Sequence, residues 1–326
     1  MHKSLSQRLL TGAVIGFIAA VLILSITYGF QRDLFDAFEA KSLDWRYLKR
    51  IKLLWERRQG AEIEDIIIVD IDNRSLEKLG RFSQWPRTYH SQIIDYITEG
   101  GAQAIGFDVL FMEPDQIAGN DSVFIRSTAQ SGIVYHAMAF SMANPDAFLY
   151  PMQGPPEGLN ADRLSLALPD KTARIFKKAD RMDGKLIPLY NAAHGIGFAN
   201  FSPDNDSVIR TMPLFLNFAG RQYLALSIAM VMGAMGATPA DIQVIPRREV
   251  VVQPKNRPAL HIPINEKGRV LLNYQGTFQT FRYLSYYDVL MQRIPQEMFQ
   301  GKYVLVGTSA AGLSDIRPVP FQDDFP

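Results

Sequence analysis

The chain has 326 residues, which gives room for one large or two modest domains with a substantial core. Its 47% of hydrophobic residues and 21% of charged residues are globular values that argue against disorder. A formal net charge of +1 gives no sign of a nucleic-acid partner, and the lack of cysteine excludes disulfides and thiolate metal or redox sites.

The chain begins with a long apolar segment. Residues 9–30 include no charged side chain, and a helix of that length spans about 30 Å of hydrocarbon. Lys3 and Arg8 precede it, so the positive-inside rule places the start of the chain in the cytoplasm and residue 31 onward outside. A cleaved signal peptide has a shorter apolar region of about 7–15 residues, and a buried core helix would show a polar stripe. We therefore predict a cytoplasmic stub and one uncleaved transmembrane anchor in residues 1–30.

A second helical pattern follows the anchor. Apolar residues recur at helical spacing over residues 31–60, with charges of both signs between them. This pattern predicts a membrane-proximal helix, and residues 61–326 are then left to form the extracytoplasmic domain.

That domain opens with alternating strands and helices. Strands are predicted at residues 66–70, 104–111 and 133–140, separated by helices at 89–100 and 122–131. Short crossovers of this kind require a parallel sheet with right-handed connections. The predicted fold class is therefore α/β, a mainly parallel sheet flanked by helices and preceded by one N-terminal transmembrane helix.

The later part of the chain is predicted to extend this sheet. Residues 145–169 are dense in proline and glycine, which predicts a surface excursion. After about residue 195, further strands are predicted at 195–201, 214–218, 244–253, 269–273 and 302–307. Helices are predicted at 224–236 and 283–293.

Polar residues gather where the first two strands end. Asp70 and Asp72 end the strand 66–70, Asp108 lies in the neighbouring strand, and Arg87 begins the crossover helix between them. In parallel α/β sheets, binding sites form beyond the carboxyl ends of the strands. We predict that these four residues form a ligand-binding or structural polar cluster, with secondary candidates Arg46, His90, Glu113 and Asp115.

Three hypotheses are open for Asp70 and Asp72. In the first, Asp70 is a nucleophile and Asp72 a general acid, as at the start of haloacid-dehalogenase-like enzymes, which also need Mg²⁺. The other groups required would be Thr308 or Ser309, then Lys302, then Asp323 with Asp324, and these come in the wrong order. If this first hypothesis holds, the chain is a Mg²⁺-dependent phosphohydrolase, which is the alternative function.

The second hypothesis is a site for a metal or a cationic ligand. It adds Asp108 and either Glu113 or Asp115, because carboxylates at adjacent strand ends can converge on hard cations. The third hypothesis is structural. Here the carboxylates cap the helix that follows and pair with Arg46 or Arg87, because buried carboxylates require such partners.

Arg87 and His90 belong to the start of the predicted crossover helix. Pro86 is an ordinary start signal for a helix. The helix dipole disfavours a cation at this end, so we expect Arg87 to bind a carboxylate, either Asp70, Asp72 or a ligand's. A single buried histidine is more often hydrogen-bonded within the core than bound to a ligand, and we expect this of His90.

Seven motifs follow one another over about residues 35–320, and none of them is specific alone. They are Asp44-Trp45-Arg46, IVDIDNRSLEKLG, WPRTYH, AIGFDVLF-x-EP, GFANFSPDNDSVIR, NYQGTF and KYVLVGTSAAGLSDIRPVP. Together and in this order they resemble one known family, the type 2 CHASE domain (cyclases/histidine kinases associated sensory extracellular domain).

The resemblance implies an extracytoplasmic signal-sensing domain of a bacterial receptor, held in the inner membrane with its bulk in the periplasm. Members usually precede three more transmembrane helices and a cytoplasmic output: an adenylate or guanylate cyclase, a histidine kinase, a diguanylate enzyme or a protein kinase. The chain stops before these parts, so we expect no enzymatic activity and no cofactor in the chain itself. The expected partners are a small-molecule or periplasmic protein signal, the membrane and a second copy in a homodimer, with no nucleic acid.

Overall fold

The computed structural model describes residues 5–142, 154–184, 186–201, 203–204, 206–310 and 317–325, without the side chains of residues 5–11, 26–36 and 142. Its helices are α1 (Leu5–Arg57), α2 (Asn73–Leu79), α3 (Arg87–Glu99), α4 (Asn120–Ser131), α5 (Ala161–Leu164), α6 (Asp170–Ala173), α7 (Ile187–Ala192), α8 (Leu226–Ala234) and α9 (Tyr286–Leu290).

The strands are mostly short. They are β1 (Ile63–Asp70), β2 (Ala104–Phe107), β3 (Val134–Met142), β4 (Ala179–Asp183), β5 (Gly195–Phe198), β6 (Thr211–Pro213), β7 (Phe215–Phe218), β8 (Arg221–Leu224), β9 (Ile242–Ile245), β10 (Glu249–Val252), β11 (Leu260–Pro263), β12 (Arg269–Leu271), β13 (Phe281–Ser285), β14 (Tyr303–Gly307), β15 (Arg317–Val319) and β16 (Gln322–Phe325).

The central sheet confirms the predicted α/β class, with parallel and antiparallel pairs. Its order is β13-β1-β14-β2-β3, and both β4 and β5 pair with β3. All of these pairs are parallel except β3 with β4. The single strand predicted at 244–253 was wrong, because the chain forms two antiparallel strands there, β9 and β10. These strands, like β6, β7 and β12, form small separate sheets and do not extend the central one as predicted. The helix predicted at 283–293 begins only at Tyr286, because Phe281–Ser285 forms a strand that pairs with β1.

One face of the sheet is covered by helices α3, α4, α7 and α9. Ile67 and Val69 of β1 are buried under them. Since strand residues alternate between faces, Ile66 and Ile68 point to the opposite face, where they are only half-buried. The apolar run 66–69 is therefore fully buried on one face of β1 only, because the other face borders a cavity.

The opposite face carries α8 and the small antiparallel sheets β9–β11, β6 with β12, and β7 with β8. Met230 and Met232 of α8 are buried in a second core. A Cβ atom at Gly197 of β5 would lie 2.3 Å from the Cα of Leu226. Only glycine therefore lets the start of α8 lie directly on this strand.

The proline- and glycine-rich stretch falls partly outside the described residues, which omit 143–153. In the described remainder, most residues are exposed or half-buried, as a surface excursion predicts, but residues 164–166 are buried. Leu164 and Leu166 are buried, and Leu166 exchanges backbone hydrogen bonds with Gln222. Apolar side chains in this stretch bring its backbone onto β8.

The predicted membrane-proximal helix is the second half of α1. One side of this half is buried on the domain through Asp44, Tyr47 and Ile51. Tyr47 donates a hydrogen bond to the Leu272 carbonyl, and Arg58 donates one to the Gln275 carbonyl at 2.9 Å. No helix in the described residues combines the length and the apolar character needed to cross a membrane. The predicted anchor, residues 9–30, lies partly outside the described side chains.

Candidate functional site

Asp70 ends β1 and is buried, with 6% of its surface exposed. Its two carboxylate oxygens accept hydrogen bonds from the backbone N–H of Ser309, at 2.8 Å, and from the Ser309 hydroxyl. Burial raises the pKa of Asp70, the bonds from Ser309 work against this rise, and the charge of Asp72 adds to it. Asp70 is thus a buried acid held by a serine, without a basic partner among the described residues.

Asp72 is the N-cap of α2. Its Oδ1 accepts hydrogen bonds from the backbone N–H of Ser75 at 2.7 Å and from the Ser75 hydroxyl at 2.6 Å. The Ser285 hydroxyl donates a third bond at 3.0 Å. The structural hypothesis is confirmed for this residue as a cap, because the side chain satisfies backbone donors at the start of the helix.

Arg87 does not join these carboxylates. Its guanidinium donates to the Glu113 carbonyl at 2.9 Å, lies 3.7 Å from Asp121 and stacks over the Phe111 ring at 4.7 Å. Burial lowers the pKa of Arg87, while Asp121 and Asp115 raise it. The expected pairing of Arg87 with Asp70 or Asp72 was wrong, because the loop before α4 supplies closer acceptors.

That loop accounts for two secondary candidates, Glu113 and Asp115. Asp115 accepts hydrogen bonds from the backbone N–H groups of Arg87 at 2.6 Å and Ile117 at 2.8 Å. Although burial alone would raise it, these bonds hold the pKa of Asp115 below its ordinary value. Glu113 contributes only its backbone carbonyl. Both residues fix the start of α3 against the loop.

Arg46, the third secondary candidate, is exposed on α1. Its Nε lies 3.4 Å from the Ser42 carbonyl. Its expected pairing with Asp70 or Asp72 was wrong, because it lies on the side of α1 that does not contact the domain.

His90, the fourth, is fully buried under the sheet. Its Nδ1 lies 2.8 Å from the Tyr286 hydroxyl, and its ring packs against Phe111 and Phe124. Burial, helped by the charges of Arg87 and His136, lowers the pKa of His90 to about 3. The expectation of a core histidine with a hydrogen-bond partner agrees with this geometry. The sequence did not single out His136, which is buried against the same rings and whose pKa burial also lowers to about 3.

A cavity of about 710 Å³ lies beyond the carboxyl ends of the parallel strands. We call it the edge cavity. The polar members of its lining are Asp108, Asn200, Thr308 and Arg317. Its apolar members are Ile71, Phe82, Val109, Leu110, Met138, Ala139, Ala199, Phe201, Ile209, Tyr274, Val319 and Phe325.

Much of this polar lining is engaged with the protein itself. The Asn200 side chain bonds both the N–H and the carbonyl of Phe140, at 2.9 and 2.8 Å. Thr308 donates to the Ile71 carbonyl at 3.0 Å, and the Arg317 guanidinium stacks over Phe201 at 4.6 Å. The cavity therefore presents a mainly apolar and aromatic wall with one acidic and one basic side chain.

A second cavity of about 400 Å³ adjoins the first, and Asp108, Ala199 and Thr308 line both. We call it the inner cavity; Asp70 and Ser309 also line it. The predicted cluster is thus assembled in part. Asp70 and Asp108 share a cavity wall, as parallel strand ends predict, while Asp72 turns to α2 and Arg87 to the loop.

The largest charged grouping in the described residues was not predicted. Arg210, with 2% of its surface exposed, binds Asp44 of α1 through two hydrogen bonds of 2.7 and 2.8 Å. The same guanidinium donates to Asp206 at 2.9 and 2.8 Å and to Asp204 at 3.2 Å. These bonds raise the pKa of Arg210 and lower that of Asp206 to about 2. The four side chains, called here the Arg210 cluster, fasten α1 to the domain.

Aromatic contacts lead from the edge cavity to the same helix. Tyr274, which lines the cavity, packs edge-on against Tyr47 of α1 with ring centroids 5.6 Å apart. Its hydroxyl donates to the Ile209 carbonyl at 2.7 Å. Ile209 also lines the cavity and immediately precedes Arg210. The cavity wall and the seat of α1 are therefore continuous.

A family model described as the CHASE2 domain matches residues 17–326. The chain belongs to the CHASE2 family. This confirms the resemblance seen in the motifs. CHASE2 domains are extracellular and sensory rather than catalytic, which fits the predicted sensing role and extracytoplasmic placement. The chain matches no curated protein and no solved structure.

The side chains of this CHASE2 domain can also be compared with the two other hypotheses for Asp70 and Asp72, a metal site and a phosphohydrolase site. Within the described residues, no three side chains of the histidine, aspartate or glutamate type come together to hold a metal ion. Ser309 does meet Asp70, as a phosphohydrolase would require. Lys302, however, precedes β14, whose last residue Gly307 pairs with Asp70. That separation along a strand is roughly 16 Å, which is too far for a shared site.

The sequence of this CHASE2 domain carried a signal for the Arg210 cluster. Asp44 and Arg210 both lie in motifs that support the resemblance, Asp44-Trp45-Arg46 and GFANFSPDNDSVIR. The two residues are 166 positions apart, and nothing in a single sequence pairs them. Only the fold of the intervening chain brings them together.

Proposed function

We propose that this CHASE2 domain is the signal-receiving part of a bacterial membrane receptor and that a small molecule in the edge cavity is the signal. One observation supports the proposal most strongly: residues of the cavity wall contact α1 directly or are next in sequence to residues that do. Tyr274 lines the cavity and packs on Tyr47, and Ile209 lines it next to Arg210, which holds Asp44.

The edge cavity has the size and chemistry of a small-molecule site. Such sites measure about 300–1,000 Å³ and combine apolar walls with a few placed polar groups. The aromatic rings of Phe82, Phe201 and Phe325 offer apolar contact, and Asp108 and Arg317 supply charges. A ligand with an apolar body and a polar end fits this lining.

Binding is passed to α1 by the rigid contacts between them. A ligand shifts a two-state equilibrium only if it binds one state more tightly. A ligand that displaces Tyr274 or residues 209–210 changes the packing of Tyr47 and the position of Asp44. The two-pronged Arg210–Asp44 contact has little freedom to absorb such a movement, so α1 moves with it.

The proposal includes the membrane anchor. Between residues 12 and 25, the apolar side chains of α1 are exposed, for example Phe17 at 71% and Leu24 at 68%. A bilayer would cover such a surface, with Lys3 and Arg8 on the inner side. The domain would then face the periplasm, with one spanning helix in this chain. The parent receptor would cross the membrane again before a cytoplasmic cyclase, kinase or similar output.

The topology is tested by a reporter enzyme fused after residue 60. We expect activity with a reporter that works only outside the cytoplasm and none with a cytoplasmic one. Cytoplasmic activity would reverse the proposed orientation.

The cavity and the relay are tested together with anilinonaphthalene sulfonate, a fluorescent aromatic anion. We expect the full chain to bind this probe and Ala139→Trp, which fills the cavity, to weaken binding at least about tenfold. Ala240→Trp, a matched change on the exposed surface, should leave binding unchanged.

Binding of the probe should also change amide exchange in residues 44–58 of α1. Binding without any such change would overturn the relay, and equal binding by the two variants would overturn the cavity. Mg²⁺-dependent phosphatase activity that is lost in Asp70→Asn would favour the phosphohydrolase alternative.

A further inference from the structure

The second half of α1 has an apolar surface that the domain does not cover. Phe38, Trp45, Leu48 and Trp55 are 73%, 59%, 51% and 49% exposed. We call them the α1 stripe. Two of the three tryptophans in the chain belong to it. Tryptophan is seldom left this open, because its burial contributes much of the energy of cores and interfaces.

The spacing of the stripe is that of a coiled coil. The four residues fall at intervals of seven, three and seven, and Lys41 and Lys52 occupy the two remaining positions of the same alternation of three and four. Repeats of this kind put one seam of a helix against a partner helix. At 100° per residue, the stripe lies roughly 80–180° around the helix from Tyr47, which faces the domain.

We propose that the α1 stripe is the interface of a parallel homodimer, in which α1 packs against α1 of a second copy. A two-fold interface brings identical patches together, so the partner already carries the matching seam. Outside α1, the exposed large apolar side chains of the described residues are scattered, for example Ile117 and Leu271, and the exposed ones between residues 12 and 25 are assigned to the bilayer under the proposed function. The shared membrane orientation under the proposed function makes the two helices parallel.

The exposed area suits such a pair. With about 150–250 Å² for each complete aromatic side chain, the four exposed portions sum to roughly 500 Å² per chain. The pair would bury about 1,000 Å², which is near the lower limit for a specific interface. Confinement of both copies to one membrane raises their effective concentration and supplies the remaining affinity.

The two lysines set the number of chains. A charged residue at a seam position costs stability, but it favours a two-stranded coil. In a dimer its long side chain can reach water past the edge of the seam, whereas a larger bundle encloses it. Lys41, 73% exposed, already leans aside to an ion pair with Asp44 at 3.7 Å.

The natural chain is suited to a direct test because it has no cysteine. In membranes that carry the full chain, Leu48→Cys should form an oxidative cross-link between copies. Leu53→Cys is the matched control: the same residue type on the same helix, 54% exposed, but roughly 140° away. We expect at least about fivefold more cross-linked dimer from Leu48→Cys. Equal yields, or none from either variant, would overturn the proposal.

A second variant distinguishes cross-linking within a packed dimer from cross-linking between copies that collide at random. In the Leu48→Cys background, Trp45→Ser should lower the cross-linked fraction at least about threefold, while Arg46→Ser, at a neighbouring exposed position, should not. Melting temperatures equal to that of the parent establish that both variants fold. An unchanged cross-link in Trp45→Ser would show that the stripe does not hold the pair.

Discussion

Asp70 and Asp44 are two buried acids, one in the wall of the inner cavity and one beside the edge cavity, and their hydrogen-bond partners differ. Asp70 accepts hydrogen bonds only from Ser309 among the described residues, and no basic side chain there pairs with it. Burial raises the pKa of Asp70. Asp44 is gripped by both prongs of Arg210 within a group of three carboxylates. The comparison teaches that the Arg210 cluster pairs its charges to fasten α1 to the domain, whereas Asp70 is a buried acid without a basic partner among the described residues.

The largest expected effect comes from breaking the fastening. Arg210→Met removes the partner of Asp44, Asp204 and Asp206 and should lower the free energy of unfolding by about 3–5 kcal/mol, as loss of one member of a buried ion pair does. Arg46→Met, on the exposed side of the same helix, should change it by less than about 0.5 kcal/mol. Urea unfolding measures both, and a similar small change in the two variants would contradict the role given to Arg210.

A fall in pH should lower the free energy of unfolding first through the two buried histidines, His90 and His136. The folded pKa of His90 and His136, about 3, lies below the unfolded value of 6.5. Their contribution is complete above pH 6.5 and is lost as pH falls, by about 2 kcal/mol for each at pH 5. Asp206, with a pKa of about 2, titrates only below this window.

Melting temperature against pH tests this prediction. It should fall between pH 7 and pH 5 in the parent, and His136→Gln should show a shallower fall. His194→Gln, which changes a histidine outside that core, should keep the parent's slope. A flat profile in the parent would show that these histidines are not held neutral.

The cap of α2 should have a moderate effect. Asp72→Ala removes the acceptor of the Ser75 N–H and of the Ser75 and Ser285 hydroxyls, at a cost of about 1 kcal/mol. Asp65→Ala, at an exposed position of β1, is the control and should be near neutral. Thermal unfolding compares the two variants, and equal stability would show that the Asp72 cap does not contribute to the free energy of unfolding.

The smallest effect should come from Asp70 itself, and its sign should depend on pH. Because the folded pKa of Asp70 is raised, its contribution to stability is complete below the unfolded value of 3.8 and is lost as pH rises through the folded pKa. Asp70→Asn should therefore raise the melting temperature at pH 7, by less than the change that Asp72→Ala causes, and the difference should shrink toward pH 4. A lower melting temperature at pH 7 would mean that the charge of Asp70 is stabilised after all.

The sequence predicted the parts of the fold that depend on local pattern. Strands 66–70 and 302–307 were found from short apolar runs, and both end where the cavities open. The position of β14 between β1 and β2 was not predictable from one sequence, because pairing between distant strands leaves no periodic signal. The boundary at Tyr286 was missed for the same reason, since pairing with β1 decides it.

For the site, rules about strand ends placed Asp70 and Asp108 on one cavity wall. They failed for Arg87, because the nearest acceptors came from a loop whose path no periodicity describes. The Arg210 cluster needed contacts between α1 and a turn far along the chain. The location of residues at neighbouring strand ends was accessible from the sequence, and the pairing of individual side chains from distant motifs was not.

The position of β14 has a consequence for how the protein is made. Thr308 and Ile71, which join β14 to the end of β1, are 237 positions apart. The chain must therefore close a very long loop before the middle of the sheet exists, and folds of such high contact order form slowly. Until then β1 and β2 present unpaired edges, which invite association with other chains. If the chain crosses a membrane one segment at a time, the edges of β1 and β2 stay unpaired until β14 has crossed. Maturation then depends on a factor that protects these edges from association with other chains during that interval.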